Sequence, residues 1–172
     1  MTDYTKPLSA ADASYVAFVE AAWQRHIRLA VLLTGDRLRA EELLQDSLVK
    51  MYERWRKLSR LDDLHAYLRR SLVNNHTSVW RRRRRESLVA EIPDRAMPSD
   101  GTDEDADALR RALLSLPPKQ RAVVVLRHYE DLSERAVAQA LGCSVGTVKS
   151  QHSRALEKLR RIVEQPSYTG NR

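Results

Sequence analysis

Residues 133–156 read SERAVAQALGCSVGTVKSQHSRAL, a spacing that predicts two short helices joined by a tight turn. Ser133 is placed to cap the first, because its hydroxyl can accept from a backbone N–H that the opening turn leaves without a partner. Ala136, Val137 and Ala140 then fall on the inward face of 134–141. Gly142 stops that helix, since glycine adopts the left-handed conformation at a helix end without steric cost. Ser144 can cap the next helix. There Val148, Ala155, Leu156 and Leu159 point inward, leaving Gly146, Thr147, Lys149, Ser150, Ser153 and Arg154 outside. Small side chains let a helix enter a major groove, hydroxyls bond phosphates or base edges, and Lys and Arg supply long donors. An ordinary helical hairpin has the same outline. Charge favours the groove reader: Lys149, Arg154, Lys158, Arg160 and Arg161 are opposed by Glu157 alone between Val145 and Arg161.

Upstream, the chain also repeats at helical spacing, with no convincing hairpin of strands. One helix is expected over 11–33, with Tyr15, Phe18, Val19, Ala22, Trp23 and Ile27 along one side and Gly35 at its end. Asp36 caps a second, whose stripe is Leu44, Leu48, Met51, Tyr52 and Trp55. Asp62 and Asp63 open a third, with Leu64, Leu68, Leu72 and Val79 inward, ending in Trp80 and the run Arg81, Arg82, Arg83, Arg84, Arg85. Composition then changes. From 86 to 107 eight acids stand against Arg95 alone, and Pro93, Pro98 and Gly101 break the pattern, as in a linker. Helical spacing resumes near Asp103 and restarts at Pro117 and Pro118. The expected fold is all-α: two small helical domains, 10–86 and 105–165, joined by an acidic linker over 87–104 and followed by a flexible tail, 166–172.

The chain has 172 residues, 42% of them hydrophobic, enough to bury a core. A formal net charge of +7 favours polyanionic partners, because Lys or Arg beside a phosphate releases condensed counterions. Cys143 is the single cysteine, so neither an internal disulfide nor a cysteine-rich zinc cluster can form. The five histidines lack HxxxH or HExxH spacing, and no metal or cofactor is expected. Residues 1–10 lack the order of a secretory signal, and no aliphatic run approaches the roughly 20 residues of a membrane span. A cytoplasmic protein without a membrane partner is the expectation.

Residues 141–150, LGCSVGTVKS, resemble the recognition motif of region 4 in the extracytoplasmic-function (ECF) sigma factors. LPPKQR at 116–121, with the run to Tyr129, resembles the opening of that region. LLTGD at 32–36 and AEELLQD at 40–46 resemble region 2, including its polymerase-binding helix. The likeness covers about 14–163 in family order and is closest to the short sigma-E-like branch. One departure is SQHSRA at 150–155, where many relatives have SRLHRA; His152 there replaces an apolar side chain.

The resemblance implies a subunit that binds core RNA polymerase and the −35 and −10 promoter elements. Glu42, Gln45 and Asp46 match positions that dock on the clamp helices of the polymerase largest subunit. The recognition residues for −35 would be Ser144, Gly146, Thr147, Lys149, Ser150, Ser153 and Arg154. The helix over 64–85 matches the segment that opens and reads −10, after a loop at about 57–63. Asn74 and Asn75 can hydrogen-bond an exposed base, although bonding across the helix packing suits them equally. Trp80 offers a stacking surface, and the arginine run suits a nonspecific phosphate clamp better than base readout. The acidic linker would thread the channel later taken by RNA, or fold back on the basic domains. An anti-sigma factor is a further partner that the resemblance leaves open.

Two other classes compete. A free-standing helix-turn-helix repressor or activator explains the C-terminal half and leaves the 40–46 motif without purpose. A nucleic-acid enzyme finds no support: paired carboxylates, a zinc set, a phosphate loop and a Ser/His/Asp arrangement are all missing from the sequence.

Overall fold

A computed structural model describes residues 7–87 and 104–164. Among them are eight helices and no strand: α1 (Ala10–Thr34), α2 (Arg37–Tyr52), α3 (Trp55–Leu58), α4 (Leu64–Ser87), α5 (Glu104–Leu114), α6 (Pro118–His128), α7 (Glu134–Leu141) and α8 (Val145–Glu164). The helix ends are chemically written. Ser9 caps α1 through Asp12 N, and Gly35, at φ 74°, closes it by donating to Val31 O. Asp36 caps α2 at Arg39 N, 2.8 Å away, and Asp63 accepts from Ala66 N at 2.8 Å where α4 begins. Pro118 occupies the first turn of α6, where its missing N–H costs nothing.

The expected Leu44–Trp55 stripe is broken. Helix α2 stops at Tyr52, and Trp55 belongs to the short α3. Tyr52 stays about half exposed while its hydroxyl donates to Asp12. Trp55 is buried, and its indole N–H donates to Ser14. Of the apolar face expected on the first helix, Ala22 and Ile27 are buried and Tyr15, Phe18, Val19 and Trp23 are half-buried. Between them lies His26, fully buried, its Nε2 3.0 Å from His65 Nδ1 and its Nδ1 without a partner. Burial, then the neighbouring His65, pushes His26 down to about 4.

The two halves, α1–α4 and α5–α8, pack against each other: α1 meets α5 and α6, and α4 meets α6 and α7. Their buried side chains form one core, from Ala22 through Leu72 to Val148 and Ala155. Of the acidic stretch over 86–107, Glu86 lies on α4 and Glu104, Asp105 and Asp107 on α5; residues 88–103 fall outside the described part, as does the tail over 166–172. No described helix is long and apolar enough to cross a membrane, and no group of three or more metal-ligating side chains occurs among the described residues.

Candidate nucleic-acid interface

The helix-turn-helix forms as its caps dictate. Ser133 accepts from Ala136 N at 3.1 Å, Gly142 turns the chain at φ 63°, and Ser144 accepts from Thr147 N at 3.1 Å. On α7 the buried residues are Val137 and Ala138, whereas Ala136 and Ala140, expected inward, are half-buried. Helix α7 packs against α4, α6 and α8, so its buried arc is not the one that a single partner would select. On α8, Val148 and Ala155 are buried, and Leu156 and Leu159 half-buried. Gly146, Thr147, Lys149, Ser150, Ser153 and Arg154 form one exposed row, with Ser144 at its head. Lys149 Nζ lies 3.8 Å from Glu134 Oε2, an exposed pair that a phosphate can replace at little cost.

His152 faces the packed side and finds a partner that sequence spacing did not reveal. Its Nε2 lies 2.9 Å from His128 Nε2 on α6, with the rings stacked. Burial, then His128, lowers its pKa, so the neutral ring is favoured and the pair ties the recognition helix to α6. Cys143 sits half-buried in the turn.

Helix α4 carries the second basic surface. Arg81, Arg82, Arg83, Arg84 and Arg85 are all exposed on its last turns. The Arg84 guanidinium stands 5.2 Å from the Trp80 ring centroid, so one approach to that indole is already shared with a cation. The two asparagines differ. Asn74 is exposed, whereas Asn75 donates to Ser47 Oγ at 2.9 Å and accepts from Lys50 Nζ at 2.9 Å, bonding α4 to α2. Residues 59–63 of the preceding loop are exposed throughout, while Leu58 before them is buried.

On α2, Glu42, Gln45 and Asp46 all face solvent. Leu38 and Val49 flank them, 60% and 58% exposed, one helical turn before Glu42 and one after Gln45. Neither apolar residue belongs to the inward stripe expected of this helix; the signal in the sequence is that Leu38 stands four residues before Glu42 and Val49 four after Gln45. The result is a mixed acidic and apolar strip suited to a partner's basic helix.

Comparisons with known proteins agree with this anatomy. Two family models match, one described as Sigma-70 region 2 over residues 18–86 and one as Sigma-70, region 4 over 106–159. The RNA polymerase sigma-E factor of Streptomyces avermitilis is 44% identical over 144 residues, 80% of this chain and 78% of its own. That of Streptomyces coelicolor is 44% identical over 137 residues, 78% of this chain and 77% of its own. Among solved structures, the sigma factor RpoE of Bartonella quintana, in complex with the anti-sigma factor NepR, superposes with a TM-score of 0.72 at 26% identity, over 88% of this chain and 97% of that one.

Proposed function

The chain belongs to the sigma-70 family, in its ECF branch, as an RNA polymerase sigma factor of transcription initiation, and from that premise we propose how its residues divide the work. Sigma factors bind core polymerase and promoter DNA, so each surface above has a natural counterpart. The exposed row on α8 reads −35. Gly146 and Thr147 let the helix approach the groove, Lys149 and Arg154 reach phosphates or base edges, and Ser144, Ser150 and Ser153 anchor the backbone. Helix α4 and the loop before it take −10, with the arginine run holding phosphates beside a strand that Trp80 and Asn74 help to keep open.

Glu42, Gln45 and Asp46, with Leu38 and Val49, dock on the clamp helices of the polymerase largest subunit. The polymerase supplies the bond-forming chemistry; this chain contributes no active site and works in the cytoplasm, where the polymerase is. An anti-sigma factor is a fitting partner, since RpoE of Bartonella quintana is held by one in a similar fold.

The observation that carries the reading is the coexistence in one chain of a DNA-reading row on α8 and an outward acidic strip on α2. A free repressor needs only the first. Run-off transcription with purified core polymerase on genomic promoters tests it. Promoter-specific transcripts appear with the wild type and fall at least tenfold with Lys149→Ala/Arg154→Ala, since two charge-assisted contacts are worth about 1–3 kcal/mol each. A folded protein that binds duplex DNA tightly yet stimulates no promoter is the regulator instead.

A further inference from the structure

We propose that His128 and His152 form a binding site for a borderline divalent metal ion, zinc, which staples the recognition helix α8 to α6. The inference uses only the packing of these two helices and stands apart from which DNA sequence α8 reads.

The pair is a feature of the recognition helix that DNA reading leaves unused. His152 lies on the packed side of α8, half-buried, and His128 is the exposed last residue of α6. They stand 24 positions apart in the chain, so no ligand spacing within one helix announces them. The fold sets Nε2 against Nε2 at 2.9 Å, with ring centroids 5.1 Å apart and planes inclined by 27°. Zinc holds imidazole nitrogens at about 2.0–2.1 Å in a tetrahedron, which places two of them about 3.3 Å from each other. The nitrogens therefore need to part by only about 0.4 Å to admit the ion. In the hydrogen-bonded pair one ring gives its Nε2 proton to the other. On metal binding that proton moves to Nδ1 of its own ring, leaving two neutral imidazoles whose Nε2 lone pairs both face the ion.

Access and ligand chemistry select the ion. Because His128 is exposed, a hydrated ion reaches the pair from solvent. Nitrogen ligands suit zinc and its neighbours, whereas magnesium and calcium demand oxygen. Among the described residues no third ligating side chain joins the pair, so water completes the tetrahedron. The Arg127 and Glu134 charges act on His152 in opposite senses, so an added cation does not meet a field of one sign.

His26 and His65 supply the contrast. Their nitrogens are as close, 3.0 Å, and their rings stack, but the contact runs from Nε2 to Nδ1 and His26 is fully buried. A hydrated ion has no path to a ring so enclosed, and this pair takes no metal. At His128 and His152 coordination replaces one hydrogen bond between neutral rings by two bonds to a single ion, which seats α8 more firmly on α6. Two of the usual four protein ligands correspond to a Kd on the order of 10 µM.

The test is a zinc titration of the metal-free full chain in a Cys143→Ser background, which removes the single thiol. In 15N NMR spectra of the histidine side chains, Nε2 of His128 and of His152 shift together and saturate at one ion per chain. Tm rises by roughly 3–6 °C at a tenfold excess of zinc over Kd. His152→Leu introduces an apolar residue that the packed side of α8 accepts, so the metal-free fold and its Tm are retained. That variant binds zinc roughly tenfold or more weakly and loses the Tm response. His128→Ala loses both in the same way, and magnesium at equal concentration shifts nothing. Zinc-induced shifts confined to the other histidines, zinc binding by His152→Leu as tight as the wild type's, or a pair that ignores the ion overturns the site.

Discussion

At Asn75 a single side chain spends both ends of its amide on the protein itself, one on Ser47 and one on Lys50. Its neighbour Asn74 faces solvent. Asn75→Ala is therefore expected to lower stability by about 1–2 kcal/mol, the worth of two net hydrogen bonds, seen as a lower urea midpoint with unchanged −10 base preference. Asn74→Ala should do the reverse, weakening −10 binding at constant midpoint. Loss of base preference in the stable Asn75 variant would reassign that residue to DNA. Two histidines carry a pH dependence of the same local kind. His26 and His76 are both pushed down to about 4, by burial first and then by His65 and Arg121 respectively. Below the ordinary value near 6.5 the unfolded chain takes up protons that the folded chain refuses, so stability is complete above that value and falls as pH drops toward 4. Each histidine withdraws about 3 kcal/mol at the limit. Urea midpoints that stay level from pH 7 to 5 would refute this.

Among the elements, α8 and α4 both present positive charge, and they present it differently. On α8 the basic residues share a row with glycine and hydroxyls, a surface that can enter a groove. On α4 five arginines follow one another, so they point around the helix by 100° steps and cannot all face one groove. Such a collar suits the phosphates of a strand and reads no sequence. Replacing Arg82 and Arg84 with glutamine should weaken promoter binding about equally for all −10 sequences. It should also reduce the slope of log affinity against log salt by roughly 2, measured by titration at several salt concentrations. A change in sequence preference with unchanged slope would mean that these arginines read bases. Helix α2 differs from both: Glu42, Gln45 and Asp46 face solvent with Leu38 and Val49 at their edges.

For the whole molecule, the two halves pack on one core, α1 against α5 and α6 and α4 against α6 and α7. The bonds from Arg121 and Arg110 to the end of α1, and the Arg69–Glu130 pair, join the two halves by polar contacts besides the shared core.

The helix caps and the exposed row on α8 were legible in the sequence, because each depends on neighbours within about four residues: Ser133, Ser144 and Asp36 cap through their own first turns, and Gly35 and Gly142 end helices by their own backbone freedom. The likeness to sigma regions 2 and 4 was equally present in short contiguous motifs. What residues far apart do to each other was not. That Asn75 serves α2, that His152 stacks on His128, that α7 buries Ala138, and that two halves read as separate domains share one core are facts of packing. Periodicity says that a face is apolar; only the tertiary structure decides which helix covers it, because the hydrophobic effect has no direction and any matching face will serve.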